Sequence, residues 1–141
     1  MKQELWSYRN GLLIVERFTG TFNPEEIRKS DEVIVSKALK KNEPLTVLAD
    51  LSNATFPHIE PVEIKELFAT FDKNIETING MRIALIANEE HYNEFVKASS
   101  YAIEATKRPI TVMVFHSLTS ATEWLELSSQ EHQLITENLS K

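Results

Sequence analysis

Strand-like and helix-like patterns alternate along this chain, and this alternation restricts its fold more than any other feature. A hairpin pattern comes first, and the order after it is α, β, α, β, α, β, α. Helices between short apolar runs are typical of parallel strands, whose connections are right-handed. The sequence therefore predicts an α/β fold with a five-stranded, mixed and mostly parallel sheet, an antiparallel N-terminal hairpin and flanking helices.

The predicted hairpin joins a strand at 4–9 to a strand at 12–18. Asn10-Gly11 lies between them, and this dipeptide favours a two-residue type I′ turn because both central residues need positive φ. The second strand starts with a continuous apolar run, Leu-Leu-Ile-Val. Such a run is typical of a strand buried on both faces, so we place this strand inside the sheet.

Further strands are predicted at 45–51, 82–87 and 110–115, and helices at 24–40, 61–79, 89–107, after Ser117 or Thr119, and at 129–139. Capping boxes mark the first and last helices, at Asn23 with Glu26 and at Ser128 with Glu131. Asn88 is the predicted cap of helix 89–107, whose inward face we place at Tyr92, Phe95, Val96, Ser99, Ala102, Ile103 and Thr106. The thin apolar edge within 129–141 predicts a helix or tail that packs on the body or joins a partner.

Length and composition narrow the class of protein. We expect one domain over residues 1–141, which is an ordinary domain length. The net charge of -6 disfavours nucleic acid and anionic membranes as partners. The chain has no cysteine, and no apolar run approaches the roughly 18 residues of a membrane span. These features predict a cytoplasmic protein with no integral membrane segment.

The stretch from Leu45 to Val62 combines a buried strand, a polar loop and a helix start. Ligands of α/β proteins bind beyond the carboxyl ends of parallel strands. The residues there that we take as candidates for ligand or partner binding are Asp50, Ser52, Asn53, Thr55, His58 and Glu60, together with Asn88 after the next strand. The alternative for the first four is local turn chemistry, with Asp50 accepting hydrogen bonds from the following loop.

His58 and Glu60 are the one close histidine and carboxylate pair in this loop. They have the side chains of a general base and its orienting partner. The alternative is a solvated histidine beside a glutamate that the helix dipole favours. Glu90 and His91 with His58 make a poor metal site, because adjacent residues diverge on a helix. The sequence predicts neither a metal nor a cofactor, and it lacks phosphate-loop, nucleophile-elbow, metalloprotease and dinucleotide-binding motifs.

Three segments carry recognisable motifs: Gly-Thr-Phe-Asn-Pro-Glu-Glu-Ile at 20–27, Val-Leu-Ala-Asp-Leu-Ser-Asn-Ala-Thr-Phe at 47–56, and Phe-His-Ser-Leu-Thr-Ser-Ala-Thr-Glu-Trp-Leu at 115–125. Together they resemble SpoIIAA-like (STAS) domains, over roughly residues 4–127. The segment 20–27, Gly-Thr-Phe-Asn-Pro-Glu-Glu-Ile, resembles the Gly-x-hydrophobic-x-x-x-Glu step that follows their hairpin. The segment 47–56 looks like their Asp-Leu-Ser-x-hydrophobic-Thr-Phe strand end. The segment 115–125 is similar to the closing Phe-x-x-x-x-x-Ala-x-x-Trp-Leu of an uncharacterised bacterial branch. The resemblance implies a right-handed β-α superhelix with helices flanking a sequentially ordered sheet.

The resemblance also implies a function. In anti-sigma-factor antagonists, an Asp-Ser-Ser-Gly phosphoacceptor follows this strand, and its four places fall here on His58, Ile59, Glu60 and Pro61. Both serines are absent. We therefore expect a non-enzymatic regulatory or protein-interaction module that lacks the phosphoacceptor serine, binds an unidentified protein and self-associates as a homodimer.

Two other functions remain open. Sec14-type lipid-binding domains share the fold, so the second hypothesis is a carrier or sensor of a small apolar or amphipathic ligand. This ligand would lie between the sheet and helices 61–79 and 89–107, against Phe68, Phe71 and Phe95. The third hypothesis is a hydrolase or isomerase that uses His58 and Glu60.

Overall fold

A five-stranded mixed sheet forms the centre of the structure, a computed structural model that describes residues 1–88 and 90–141. The strands are β1 (Lys2–Tyr8), β2 (Leu13–Thr21), β3 (Thr46–Thr55), β4 (Arg82–Ile86) and β5 (Thr111–Phe115). They follow one another in the sheet in chain order. β1 is antiparallel to β2, and all other neighbours are parallel. The predicted α/β architecture is confirmed.

Helices cover both faces of this sheet. They are α1 (Pro24–Leu39), α2 (Pro61–Leu67), α3 (Ala69–Asp72), α4 (Ile75–Ile78), α5 (Tyr92–Ala105), α6 (Leu118–Trp124) and α7 (Ser129–Leu139). Side chains alternate along each strand, so Ile14 and Val47 join the core under α1 to α5. Leu13 and Leu48 point the other way and form a second core under α6 and α7.

The hairpin forms as predicted, but its turn is longer. Tyr8 pairs with Leu13, so four residues connect the strands, and Arg9–Gly11 make a 3-10 turn. The backbone φ is positive at Arg9 as well as at Asn10 and Gly11. The two-residue type I′ turn was therefore wrong, because a third left-handed residue lengthens the loop. The ammonium of Lys41 donates to the Asn10 carbonyl at 2.6 Å and ties this turn to the end of α1.

Both predicted capping boxes are confirmed. The Glu26 backbone N–H donates to Asn23 at 2.9 Å, and the Asn23 N–H donates to the Glu26 carboxylate at 3.1 Å. Ser128 and Glu131 make the same exchange at the start of α7. Each box satisfies N–H groups that the first helical turn otherwise leaves without acceptors.

The single helix predicted for 61–79 is wrong, because the segment forms three short helices. The backbone leaves helical values at Phe68 (ψ 9°) and at Asn74 (ψ 39°). The Asn74 side chain donates to the Thr70 carbonyl at 2.8 Å, which satisfies one acceptor at the second break. The changes of direction bring Phe68, Phe71 and Ile78 into one core, and each is at most 1% exposed.

The helix predicted at 89–107 is shorter and rotated. α5 begins at Tyr92, and the Asn88 side chain accepts from the Glu90 N–H at 2.9 Å, so Asn88 caps a preceding turn instead. Glu89 lies outside the described residues. Tyr92 and Ile103, predicted to face inward, are 72% and 70% exposed. The buried positions are the small ones, Ala98 and Ala105, which let the helix approach the sheet closely.

The C-terminal helix packs on the body, which settles one alternative that the sequence left open. Ile135 of α7 is fully buried in the second core. Arg9 makes two hydrogen bonds to Glu131, at 2.6 and 2.8 Å, and this guanidinium lowers the pKa of Glu131 to about 2. Arg17 also donates to the Leu139 carbonyl at 2.7 Å. Within the described residues, no helix has the length and apolar character needed to cross a membrane.

Candidate functional site

An apolar cavity of about 200 Å³ lies between the sheet and the helices of the first core. Phe18, Val47 and Ile83 form part of its floor, and α1, α2, α3 and α5 close it from above. Small side chains at Ala49 and Ala98 face it from a strand and from a helix. Well-packed interiors contain few voids larger than a water molecule, so a cavity of this size is unusual for a core.

Glu16 brings a carboxyl group into this cavity from the middle of β2. It is 4% exposed and points to the same face as its apolar neighbours Ile14 and Phe18. The Gln3 side-chain amide donates to Glu16 Oε1 at 3.1 Å and to Ser30 Oγ at 2.9 Å. The edge strand β1 thus supplies the amide that holds the carboxyl in place.

Asp31 adds a second carboxyl group from α1. It also lines the cavity, is partly buried, and accepts a hydrogen bond from the Tyr101 hydroxyl at 3.3 Å. Tyr101 is on α5 and lines the same cavity. We call Glu16, Asp31 and Tyr101 the acidic cluster. Its members come from β2, α1 and α5, so the fold itself assembles it.

Burial dominates the ionisation of the acidic cluster. It raises the pKa of Glu16 to about 7, against hydrogen bonds from Gln3 and Ser30 that favour the charged form. Burial and repulsion by Glu16 raise the pKa of Asp31 well above its usual range, and the Tyr101 hydroxyl offsets part of this. Burial and the Asp31 charge also raise the pKa of Tyr101. Strongly perturbed carboxyls in a cavity are typical of functional sites.

Our sequence reasoning did not select the acidic cluster, although two signals for it were present. Glu16 follows four apolar residues in a strand predicted to lie inside the sheet. Asp31 lies on the helical stripe of Ile27, Ile34 and Ala38, four residues after the first of these and three before the second. A carboxyl group at a core position of either element calls for an explanation.

The cavity reaches the surface between α5 and the loop after β3, where exposed His58 and Val96 line it. Two side chains of α5 hold this loop. The Phe56 N–H donates to Glu94 at 3.1 Å, and the Lys97 ammonium donates to the Phe56 carbonyl. Lys97 also pairs with Glu94 at 3.0 Å. These contacts fasten the loop across the mouth of the cavity.

Replacing Lys97 by methionine is expected to speed amide hydrogen exchange at Phe56 about tenfold, because a charge-assisted hydrogen bond contributes about 1.5–3 kcal/mol. The control is Lys107→Met, which removes the exposed ion pair to Glu104 just beyond α5. Exchange at Phe56 should not change in the control. Equal exchange rates in both variants would show that Lys97 does not hold the loop.

The structure corrects the first part of the loop predicted at 52–60, because β3 continues to Thr55. Beyond a register irregularity after Arg17, Asn53 pairs with Thr19 and Thr55 pairs with Thr21. The Asp50 carboxylate accepts from the Ser52 N–H at 3.0 Å and from the Ser52 hydroxyl. Strand alternation directs Asp50 away from the face of Ala49 and Leu51, which line the cavity.

The other candidates also lie outside the cavity. Asn53 is exposed, and the Thr55 hydroxyl shares a hydrogen bond with Thr21 at 2.8 Å. Asn88 caps its local turn. All of these candidates belong to the described part of the chain, and within it His58 is the one of the seven that lines the cavity. Their role in binding a ligand or partner stays a prediction.

His58 and Glu60 do pair, with Nε2 and Oε1 3.0 Å apart. Their side chains are 80% and 63% exposed, and the Glu60 N–H donates to Glu63 at 3.2 Å at the start of α2. The pair therefore stands in solvent at the cavity mouth. Among residues 1–88 and 90–141, no three histidine, aspartate or glutamate side chains gather as metal ligands.

Comparison with known proteins identifies the fold. The sequence matches no protein-family profile and no curated protein. The structure is similar to that of an uncharacterised DUF3478-family protein with a SpoIIAA-like fold from Shewanella loihica PV-4. The TM-score is 0.57 at 13% identity, over 88% of this chain and 92% of that chain. This chain has the SpoIIAA-like fold that the three segments implied.

Proposed function

We propose that this protein is a non-enzymatic module that binds a small, largely apolar molecule in the cavity, as a carrier or a sensor. The observation that carries the proposal is the cavity of about 200 Å³ between the sheet and the helices. Of the three phenylalanines that the ligand-carrier hypothesis placed against the ligand, Phe71 lines the cavity. Phe68 and Phe95 do not line it and belong to the surrounding core, where the Phe68 ring lies 4.5 Å from that of Tyr101.

The volume limits the size of the ligand. An engineered apolar cavity of about 150 Å³ binds benzene, so the present cavity suits a molecule somewhat larger than benzene. It is smaller than the roughly 300–1,000 Å³ of drug-sized binding sites. A lipid with long acyl chains is therefore too large unless the loop at Phe56 opens.

The protein-interaction hypothesis fits the same surface. The loop that closes the cavity also carries exposed His58 and Glu60, and Val62 at the start of α2 is 63% exposed. A ligand that pushed this loop outward would change the surface offered to a partner. This connection favours a sensor over a carrier. Binding of a protein partner and self-association remain expectations.

Catalysis by His58 and Glu60 has less support. The pair has the hydrogen-bond distance that a base and its orienting group require. Both side chains are largely in solvent, however, whereas catalytic acids and bases are tuned by burial and neighbouring charges. We therefore keep the hydrolase or isomerase hypothesis last.

Toluene is a suitable probe of the cavity, and methyl NMR of Val47 and Ile83 reports its binding. We expect saturable shifts of these signals. Ala98→Leu, which fills the cavity from α5, should weaken toluene binding at least about tenfold, since each buried CH₂ is worth about 0.8 kcal/mol and the pocket is lost. Ala102→Leu lies one turn along, outside the lining. The toluene affinity of Ala102→Leu should stay within about twofold of that of the parent protein, as expected for a position that does not line the cavity.

Two results would overturn the proposed function. One is the absence of a saturable shift at any soluble toluene concentration. The other is equal binding by the parent protein and by Ala98→Leu, which would place toluene elsewhere. Thermal unfolding of both leucine variants checks that each is folded before the comparison.

A further inference from the structure

We propose that the ligand is an amphipathic amine, with its ammonium group at the acidic cluster and its apolar body in the rest of the cavity. The inference rests on the proposed function and specifies the chemical class of the ligand. The geometry that carries it is the placement of two carboxyl groups, Glu16 and Asp31, at the wall of an otherwise apolar space.

The carboxyl groups have few partners for their charge. Glu16 Oε1 accepts from the neutral Gln3 amide, and Asp31 Oδ2 accepts from the neutral Tyr101 hydroxyl. Among the described residues, neither carboxyl forms an ion pair with lysine, arginine or histidine. A charge removed from water without a counter-charge is costly, so this site attracts a cation.

The cations near the cavity are already engaged. Lys97 is at the mouth, bound to Glu94 and to the Phe56 carbonyl. Arg108 stacks on the ring of Phe68 at 4.4 Å and pairs with Asp72 and Glu104, at 2.7 and 2.6 Å. His58, the other basic residue in the lining, is 80% exposed. In the described part of the chain these basic side chains have other partners or lie in solvent, so a counter-charge for the acidic cluster would come from the ligand.

An ammonium group fits the acidic cluster better than a carboxylate or an alcohol does. It carries three donors and a positive charge, so it can serve Glu16 and Asp31 together. A ligand carboxylate would repel both groups, and an alcohol offers one donor and no charge. The remaining lining is aliphatic and aromatic, which suits the apolar body of an alkylamine or arylalkylamine.

Protonation gives the amine site a distinctive signature. The pKa of Glu16 is about 7 and that of Asp31 is raised, so part of the cluster is protonated at neutral pH. A bound ammonium stabilises the carboxylates and expels these protons. Binding should therefore tighten as the pH rises from about 5.5 to 8, the range in which a group of pKa about 7 titrates. The pKa values of Tyr101 and Arg108 are raised from ordinary values that already lie above this range, so both keep their charge state. Lys97 and His58 are the basic side chains that line the cavity at its mouth.

Calorimetric titration with hexylamine, hexanol and hexanoate at about pH 8 tests the inference. We expect hexylamine to bind at least about tenfold more tightly than hexanol, because a charged hydrogen bond contributes about 1.5–3 kcal/mol. Hexanoate should bind most weakly. A second titration at about pH 6.5, in two buffers of different ionisation enthalpy, should show proton release with hexylamine alone, because a carboxyl group of pKa about 7 is still largely protonated there.

Glu16→Gln and Asp31→Asn test the role of each carboxyl group. Each should lower the ratio of hexylamine to hexanol affinity to within about threefold, because the ammonium group loses one of its two anionic partners whereas the alcohol has no charge to pair. The two substitutions lie on different elements, so the test still works if one of the two variants does not fold. Unchanged selectivity in both would overturn the assignment of the acidic cluster.

The outcomes separate the two proposals. If hexanol binds and Ala98→Leu abolishes its binding, but hexylamine shows no preference, the cavity binds ligands and the amine class is wrong. Stronger binding of hexanoate would reverse the inference directly. If none of the three probes binds, and toluene does not bind either, then the proposed function fails together with its refinement.

Discussion

Replacing Glu16 by glutamine is expected to raise the free energy of unfolding at pH 8 by about 3 kcal/mol and to change it little at pH 4. The magnitude follows from the rise of the Glu16 pKa from 4.5 to about 7, at about 1.36 kcal/mol per unit. Burial disfavours the charged carboxylate in the folded protein, whereas glutamine has no charge to lose. Gln3 can still donate to the Oε1 of a glutamine at this position.

The sign of this pH dependence follows from proton uptake. Folding raises the pKa of Glu16 from 4.5 to about 7. Between these two pH values, the folded state keeps a proton that the unfolded state has already released. The stability contributed by the protonated form is complete below pH 4.5 and is lost as the pH rises through about 7. The pKa of Asp31 is also raised, so Asp31 adds to the loss of stability at high pH. The repulsion between Glu16 and Asp31 disappears in Glu16→Gln.

Urea unfolding of the parent protein and the variant at both pH values measures the effect. The matched control is Glu32→Gln, at an exposed position of α1. It should change the stability by less than about 0.5 kcal/mol at either pH, as surface substitutions usually do. A variant that is destabilised at pH 8, or equally stabilised at pH 4, would show that Glu16 is not a buried, uncompensated acid.

Replacing Ile135 by alanine is the second substitution with a large expected effect. Ile135 is fully buried where α7 meets the second core. Truncating a buried isoleucine to alanine costs about 2–5 kcal/mol, through lost transfer energy and the cavity left behind. Thermal or urea unfolding should show one cooperative transition at reduced stability, because α7 also anchors Arg9 and Arg17.

Leu134→Ala is the matched control in the same helix. Leu134 is adjacent to Ile135 but 43% exposed, and alanine favours the helix slightly. The loss of unfolding free energy in Leu134→Ala should be below about 1 kcal/mol, since this side chain buries little surface. Similar effects at both positions would mean that α7 is only loosely attached to the second core.

The sequence predicted the elements whose signals are local. Asn23 and Ser128 start helices through capping boxes that can be read within four residues, and the inner position of β2 follows from its apolar run. The extension of β3 to Thr55 was not predictable in this way. Beyond Asp50 it pairs with β2 alone, through a mostly polar run in which Ala54 is the one buried residue, so the pairing depends on a partner more than thirty residues away.

The proposed binding site was predictable only in part. Its location between the sheet and two helical segments followed from the fold class. The cavity itself depends on how small residues such as Ala49 and Ala98 meet across two layers, which no local pattern records. The candidate residues were chosen for polarity in a presumed loop, whereas the acidic cluster lies on the core faces of β2 and α1. Polar residues at apolar positions were the more informative signal.

The contacts of α7 with the N-terminal hairpin also constrain the order in which the chain folds. Arg9 and Glu131 are separated by 122 residues, and Tyr8 and Asn138 by 130. At a synthesis rate of about 5–20 residues per second, the ribosome needs roughly 6–24 s to make the chain between them. From their own synthesis to the end of that interval, Leu13 and Leu48 lack the helices that bury them. One apolar face of the nascent sheet therefore stays uncovered until α6 and α7 have been synthesised and can pack on it.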